Sequence, residues 1–236
     1  MNLLLLSPTD LVNDNQAVIK GRQLQHILQV HQSQVGDALA VGLINGFMGK
    51  GYISRLSTEQ AIIEFQLDTP PPAKLPITLL LALPRPKMLR RILQTIATMG
   101  VNKLILINSY KVEKSFWQTP FLMPENIQQQ LLLGLEQAKD TVLPEVQLVK
   151  RFKPFVEDQL PALIKDSQNL IAHLGNYRQC PSLPQQSTTL AIGPEGGWIN
   201  YEVDKLQQIG FTPVQLGQRI LRVETAVAAF LTKLYY

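Results

Sequence analysis

The chain has 236 residues, 45% of them hydrophobic and 17% charged, enough for a sizeable core in one large or two modest domains. No apolar run is long enough to span a bilayer as a helix. The single cysteine, Cys180, excludes an internal disulfide framework and any thiolate zinc cluster, so a soluble protein of a reducing cytoplasm, without a metal, is expected. The net charge of +4 is uneven. Residues up to Pro72 carry four Lys and Arg against six Asp and Glu, leaving −2 there and +6 on the remainder. A polyanionic partner is therefore expected mainly on the second part, although such an excess also serves plain solubility.

In chain order, Met1–Leu6 is apolar but stops at Ser7-Pro8-Thr9-Asp10, without the basic start or the length of a signal peptide. "QLQHILQV" (Gln23–Val30) reads as a short helix. Short strands follow from Leu39 to Ile63. "ALAVGLING" is closed by Asn45-Gly46, a strong turn signal, and "KGYISRL" and "QAIIEFQL" come next, a spacing that suggests a small barrel or sandwich. "DTPPPAKLPI" interrupts, because consecutive prolines continue neither a ladder nor a helix, and it sets a domain boundary near Pro70–Lys74.

Beyond it the rhythm changes. "ITLLLAL" reads as a buried strand and Pro86 as the first turn of a helix. Leu89, Ile92, Leu93, Ile96 and Ala97 follow at helical spacing until Gly100. "KLILIN" is a further strand, Glu125–Lys139 a helix, and "LIAHLG" and "TLAIG" two more strands. Glu202–Ile209 reads as a helix ended by Gly210, "TPVQLG" as a short strand, and Thr225–Leu234 as a last helix that Glu224 or Thr225 is expected to cap. Alternating strands and helices predict a mostly parallel sheet covered on both faces.

Ligands of such sheets sit beyond the carboxyl ends of the strands. Three of those ends carry glycine: His173-Leu174-Gly175, Gly193-Pro194-Glu195-Gly196-Gly197 and Leu216-Gly217. Neither a dinucleotide fingerprint nor a phosphate-binding loop is present. Glu195 would repel phosphate, so a neutral or cationic ligand with a polar edge fits better, while "GPEGG" also reads simply as a tight turn. Arg222 and Glu224 stand just before an alanine-rich helix, as an ion pair or as a contact to an anionic substrate.

"AIGPEGG" (Ala191–Gly197) and "LGQRILRVETA" (Leu216–Ala226), in that order and separation, carry a resemblance to bacterial methyltransferases that modify N3 of a uridine in 16S ribosomal RNA, members of the SPOUT class. Weaker similarity extends over nearly the whole chain, including "LALPR", "MGVNKLILI" and "AHLG". The resemblance implies a PUA-like, RNA-binding β-barrel over residues 1–70. It implies a trefoil-knotted α/β methyltransferase domain over 71–236, a mostly parallel sheet with helices on both faces. S-adenosylmethionine is the implied cofactor, ribosomal RNA or the small ribosomal subunit the implied partner, and a homodimer through the knotted domain the implied assembly. His173, Leu174, Gly175, Ile192, Gly193, Pro194, Glu195 and Gly196 would line or shape the cofactor site from two loops. Leu216, Gly217, Ile220, Leu221, Arg222 and Thr225 would do so from the third. Arg222, Glu224 and Glu195 would be the catalytic residues.

RNA contacts are expected from His26 and Arg22 in the small domain. In the larger one they are expected from Arg85, Lys87, Arg90, Arg91, Lys111 and Lys114, which lie among Tyr110, Phe116 and Trp117. The chain departs from the family pattern at Gln29 and Gln32, where arginines are usual, at Thr95 and Met99, and at Val223, where threonine is usual. Another RNA position, or RNA binding and ribosome assembly without catalysis, are the alternative readings.

Overall fold

The computed structural model describes residues 2–236; Met1, the first residue of the apolar Met1–Leu6 stretch, lies outside the described residues. The chain divides into two compact units, Met1–Ala73 with Leu131–Leu143, and Lys74–Gln130 with Pro144–Tyr236. The division thus falls after Ala73, beside the proline run. Leu131–Leu143, which the expected second domain of 71–236 includes, groups with the first unit.

The first unit holds β1 (Leu4–Leu6), β2 (Leu11–Asn13), β3 (Gln16–Ile19), α1 (Gly21–His26), β4 (Ala38–Leu43), β5 (Met48–Leu56) and β6 (Ala61–Thr69). They form one six-stranded sheet in the order β1-β4-β5-β6-β3-β2. Only the β1–β4 pair is parallel. Side chains alternate across a strand, so Ala61, Ile63 and Phe65 of β6 enter the core while the residues between them do not. Leu4, Ile19, Val41 and Ile53 join them, and α1 with the π-helical turn after it (Ile27–His31) adds Leu24 and Ile27. The helix expected over Gln23–Val30 is this α1 and its π turn. Asn45 takes the left-handed conformation at φ 59° in the β4–β5 turn, as the Asn-Gly signal predicts. β1, built from the apolar start of the chain, is an element that the residue pattern did not assign.

The second unit contains β7 (Leu75–Ala82), α2 (Pro86–Thr98), β8 (Val101–Ile107), the first part of α3 (Pro124–Ala138), β9 (Glu145–Val149) and a helical stretch. That stretch is α4 (Phe152–Pro154), a π turn (Phe155–Gln159) and α5 (Leu160–Leu163). β10 (Gln168–Ala172), β11 (Arg178–Gln179), β12 (Thr188–Ile192), α6 (Asn200–Gln208), β13 (Thr212–Gln215) and α7 (Val223–Tyr235) follow. The seven strands are ordered β11-β13-β10-β12-β7-β8-β9, and every neighbouring pair is parallel. Central strands covered on both faces read as unbroken apolar runs, which is why β12 is buried at all five positions. α2 and α7 pack on one another, and α6 packs on the π turn between α4 and α5.

α2 buries the five residues its spacing singles out, with Pro86 in its first turn. Gly100, at φ 71°, ends the run. α7 corrects one expectation. It begins at Val223, two residues before the expected start, so the N-cap position falls on Arg222, whose side chain makes no capping bond. Glu224 therefore sits inside the first turn. There its charge complements the helix dipole, but neither it nor Thr225 is the cap.

Candidate active site

Parallel register brings the site together. Ala172 of β10 pairs with Ile192 of β12 on one side and with Val214 of β13 on the other. The three strands end at one level, and their loops wall a cavity of about 360 Å³. His173 and Leu174 come from the first loop and Ile192, Gly193, Pro194, Glu195 and Gly196 from the second. Leu216, Gly217, Ile220 and Leu221 come from the third. The walls are mainly apolar with a few polar groups, the usual character of a small-molecule site.

Gly193 is required by close approach: a Cβ there would lie 3.0 Å from the Trp198 backbone nitrogen and 3.1 Å from its indole ring. The turn closes with the Gly197 N–H donating to the Pro194 carbonyl at 2.8 Å, and Gly197 takes φ 69°. Two neighbouring loops fix it. The Arg85 N–H donates to Glu195 Oε1 at 3.0 Å, and Lys111 Nζ donates to the Gly196 carbonyl at 2.7 Å. Behind them Glu202 is buried in the first turn of α6. It accepts from the Ile199 N–H, Ser109 Oγ and the Tyr110 N–H, at 3.1, 3.1 and 2.8 Å. Partial burial holds the His173 imidazole below its ordinary 6.5, which favours the neutral ring. Its centroid is 5.7 Å from that of Tyr177.

Eleven of the fourteen expected cofactor residues line this one cavity. Gly175, Arg222 and Thr225 do not. Of the expected catalytic residues, Glu195 lines it. Arg222 and Glu224 flank the lining residues Leu221 and Val223 at the start of α7, Arg222 with an exposed side chain. Val223, Ala226 and Phe230 also line it. Their helical spacing is a signal that would have found them. Trp198 and Arg219, unassigned beforehand, stand directly after the first motif and inside the second.

The expected RNA residues fall into three settings. In the first unit Arg22 forms a bidentate ion pair with buried Glu136, at 2.9 and 2.5 Å, and His26 meets His31 edge-on at 4.8 Å. In the second, Arg85 and Lys111 touch the glycine turn. Arg90 lies over the Phe121 ring at 5.1 Å, while Lys87, Arg91 and Lys114 are exposed. Phe116 and Trp117 are half-buried, and the Trp117 indole donates to Asn108 Oδ1 at 2.8 Å. Among the described residues no cluster of three His, Cys, Asp or Glu is placed to hold a metal, and no helix is long and apolar enough to cross a membrane.

A family model for an RNA methyltransferase domain matches residues 71–235. Ribosomal RNA small subunit methyltransferase E of Treponema pallidum (strain Nichols) is 30% identical over 241 residues, covering 97% of this chain and 88% of its own length. The protein of that name from Synechocystis sp. is 28% identical over 216 residues, covering 90% of this chain and 70% of its own length. Among solved structures, a ribosomal RNA small subunit methyltransferase E from Neisseria gonorrhoeae, bound to S-adenosyl methionine, shares the fold. Its TM-score is 0.76 at 20% identity, covering 98% of this chain and 95% of that one. With similarity to the Treponema relative running over 97% of the chain, and the family model spanning the glycine turn and the last helix, the chain belongs to the ribosomal RNA small subunit methyltransferase E family of SPOUT-class RNA methyltransferases.

Proposed function

We propose that the chain transfers a methyl group from S-adenosylmethionine to N3 of a uridine in 16S ribosomal RNA. The observation that carries this reading is the single cavity in which three parallel strand ends, the glycine turn and the start of α7 meet. Its chemistry fits the cofactor. Leu174, Ile192, Leu216 and Ile220 offer apolar surface to an adenine, and backbone groups of the glycine loops lie open to its polar edge. Glu195 matches a positive ligand, and a neutral His173 does not oppose one. Bound there, the cofactor supplies an electrophilic methyl group on a cationic sulfur.

The protein's own task is to free the nitrogen lone pair. Uracil N3 carries a weakly acidic proton that must pass to water before the nitrogen forms its bond to the methyl carbon, and a cation beside the uracil oxygens stabilises the anion left behind. Arg222, exposed between two lining residues, carries that charge, with Glu224 two positions on in the first turn of α7. Positioning supplies much of the remaining rate. The first unit is read as a PUA-like barrel that grips RNA, a reading supported by its six-stranded, largely antiparallel sheet. The carboxyl-terminal part is read as a trefoil knot. β12 and β13 stand on opposite sides of β10, and α7 then returns to pack on α2 and β12, an arrangement that supports it. Ile220, 82% exposed on the rim of the cavity, favours a homodimer through this region. Ribosomal RNA as substrate sets the cytoplasm as the place of action.

Arg222→Ala is expected to abolish methyl transfer while leaving calorimetric affinity for S-adenosylmethionine within about threefold, since the side chain lies outside the cavity lining. An equal loss of cofactor affinity would refute that division of labour. Mass mapping of 16S RNA from cells lacking the gene identifies the nucleotide. A missing methyl at a position other than a uridine N3 would move the substrate while leaving the reaction class.

A further inference from the structure

Beside the cavity, the loop after β8 combines two properties: it is held at almost every residue, and it carries an exposed aromatic. The Asn108 N–H donates to the Val149 carbonyl at 2.9 Å, and its side chain accepts from Trp117. Ser109 and Tyr110 are both fastened to Glu202, a carboxylate only 2% exposed. Lys111 reaches the Gly196 carbonyl of the cavity wall. Yet the Tyr110 side chain belongs to no core: it is 79% exposed. A fixed backbone carrying a free, flat ring with few rotatable bonds is a pre-organised contact, because little freedom remains to be lost on binding. Exposed lysines, Lys111 and Lys114, follow it.

We infer that Tyr110 is a stacking platform for an RNA base next to the methylated nucleotide. On this inference, buried Glu202 is the positioning residue that holds the platform beside the cofactor cavity. The inference rests on the RNA methyltransferase reading above. A base drawn out of its stack for reaction leaves neighbours without a partner, and an aromatic face replaces the lost stacking without reading sequence. Glu202 accomplishes this through the backbone. Its two oxygens join the first turn of α6 to the Ser109–Tyr110 step, so the ring's origin is fixed relative to the glycine turn that α6 follows.

The test uses the full chain, radiolabelled S-adenosylmethionine, and small ribosomal subunits from cells lacking this methylation. Tyr110→Ala is expected to raise KM for the subunits about tenfold, the range of one lost base–aromatic stack. kcat and the calorimetric Kd for S-adenosylmethionine should stay near wild type. Tyr110→Phe, which keeps the ring, should restore KM. Glu202→Gln should raise KM in the wild-type background but add less than about twofold to Tyr110→Ala, because both changes remove the same contact. An unchanged KM in Tyr110→Ala, or Phe behaving like Ala, would overturn the stacking role. Additive losses in the double variant would overturn the positioning role of Glu202. Wild-type protein that binds cofactor but methylates no RNA would overturn the underlying function and this inference with it, a result distinguishable from the others before any variant is made.

Discussion

His173 shows how one side chain at a strand end can tie the ligand to pH. Burial lowers its pKa from the ordinary 6.5, so above 6.5 the ring is neutral in both folded and unfolded chains. As pH falls, the unfolded chain takes up the proton first. The stability His173 contributes is therefore present above 6.5 and lost as pH falls through its lower folded value. The same charge bears on binding, because an imidazolium on the cavity wall repels a sulfonium. Calorimetric affinity for S-adenosylmethionine is expected to be level between pH 8 and 7 and to weaken only as pH falls below 6.5 and through the lowered His173 value. His173→Asn should flatten that slope, and a slope that persists would assign it to another group. The cavity residues were legible because they are contiguous with strand ends: an apolar run stopping at "GPEGG" or "LG" announces the exit itself. Glu202 was not legible, since nothing in "INYEVDK" says that its carboxylate turns back to meet Ser109 and Tyr110, residues more than ninety positions earlier.

At the scale of elements, amphipathic spacing sufficed where a helix has one buried face, as in α2. It says nothing of the partners that a charge will take. Arg22 on α1 was expected at an RNA surface, but it grips Glu136 near the end of α3, with Gln23 Nε2 donating to the same carboxylate at 3.2 Å. Glu136 has 3% of its side chain exposed and Arg22 44%. Deleting one partner of a buried pair costs about 3–5 kcal/mol; with the arginine half in solvent, Arg22→Ala is expected to cost about 2 kcal/mol. Urea denaturation would register this as a lower midpoint at unchanged slope. Stability left unchanged, with RNA affinity alone reduced, would return Arg22 to the nucleic-acid surface. The start of α7 was misread for a related reason. β-branched Val223 is a weak helix former, so the pattern placed the cap beyond it, whereas packing of Val223 in the cavity wall draws the helix back to Arg222.

For the whole molecule, the chain order and the compact units are not the same division. The proline run marks where one pattern of strands gives way to another, but hydrophobic rhythm carries no information about which sheet a distant helix end will serve. The first unit draws on Leu131–Leu143, and the dependence is specific. The Asn2 and Leu3 N–H groups both donate to the Glu136 carbonyl at 3.1 Å. Thr141 Oγ1 donates to the Gly46 carbonyl at 2.5 Å, and the Asn45 N–H to the Thr141 carbonyl at 2.8 Å. Asn45 Oδ1 then accepts from the Leu143 N–H at 3.0 Å. Without that segment, β1 loses partners for its approach, the β4–β5 turn loses its outer brace and Arg22 loses Glu136. A domain of this size has little stability in reserve. A fragment of residues 1–73 is therefore expected to lack a cooperative thermal transition and to give poorly dispersed amide resonances. The same fragment with Leu131–Leu143 joined through a flexible glycine–serine linker should recover both. A well-dispersed spectrum from residues 1–73 alone would show that the six strands carry the unit, and would reduce the borrowed helix end to an accessory.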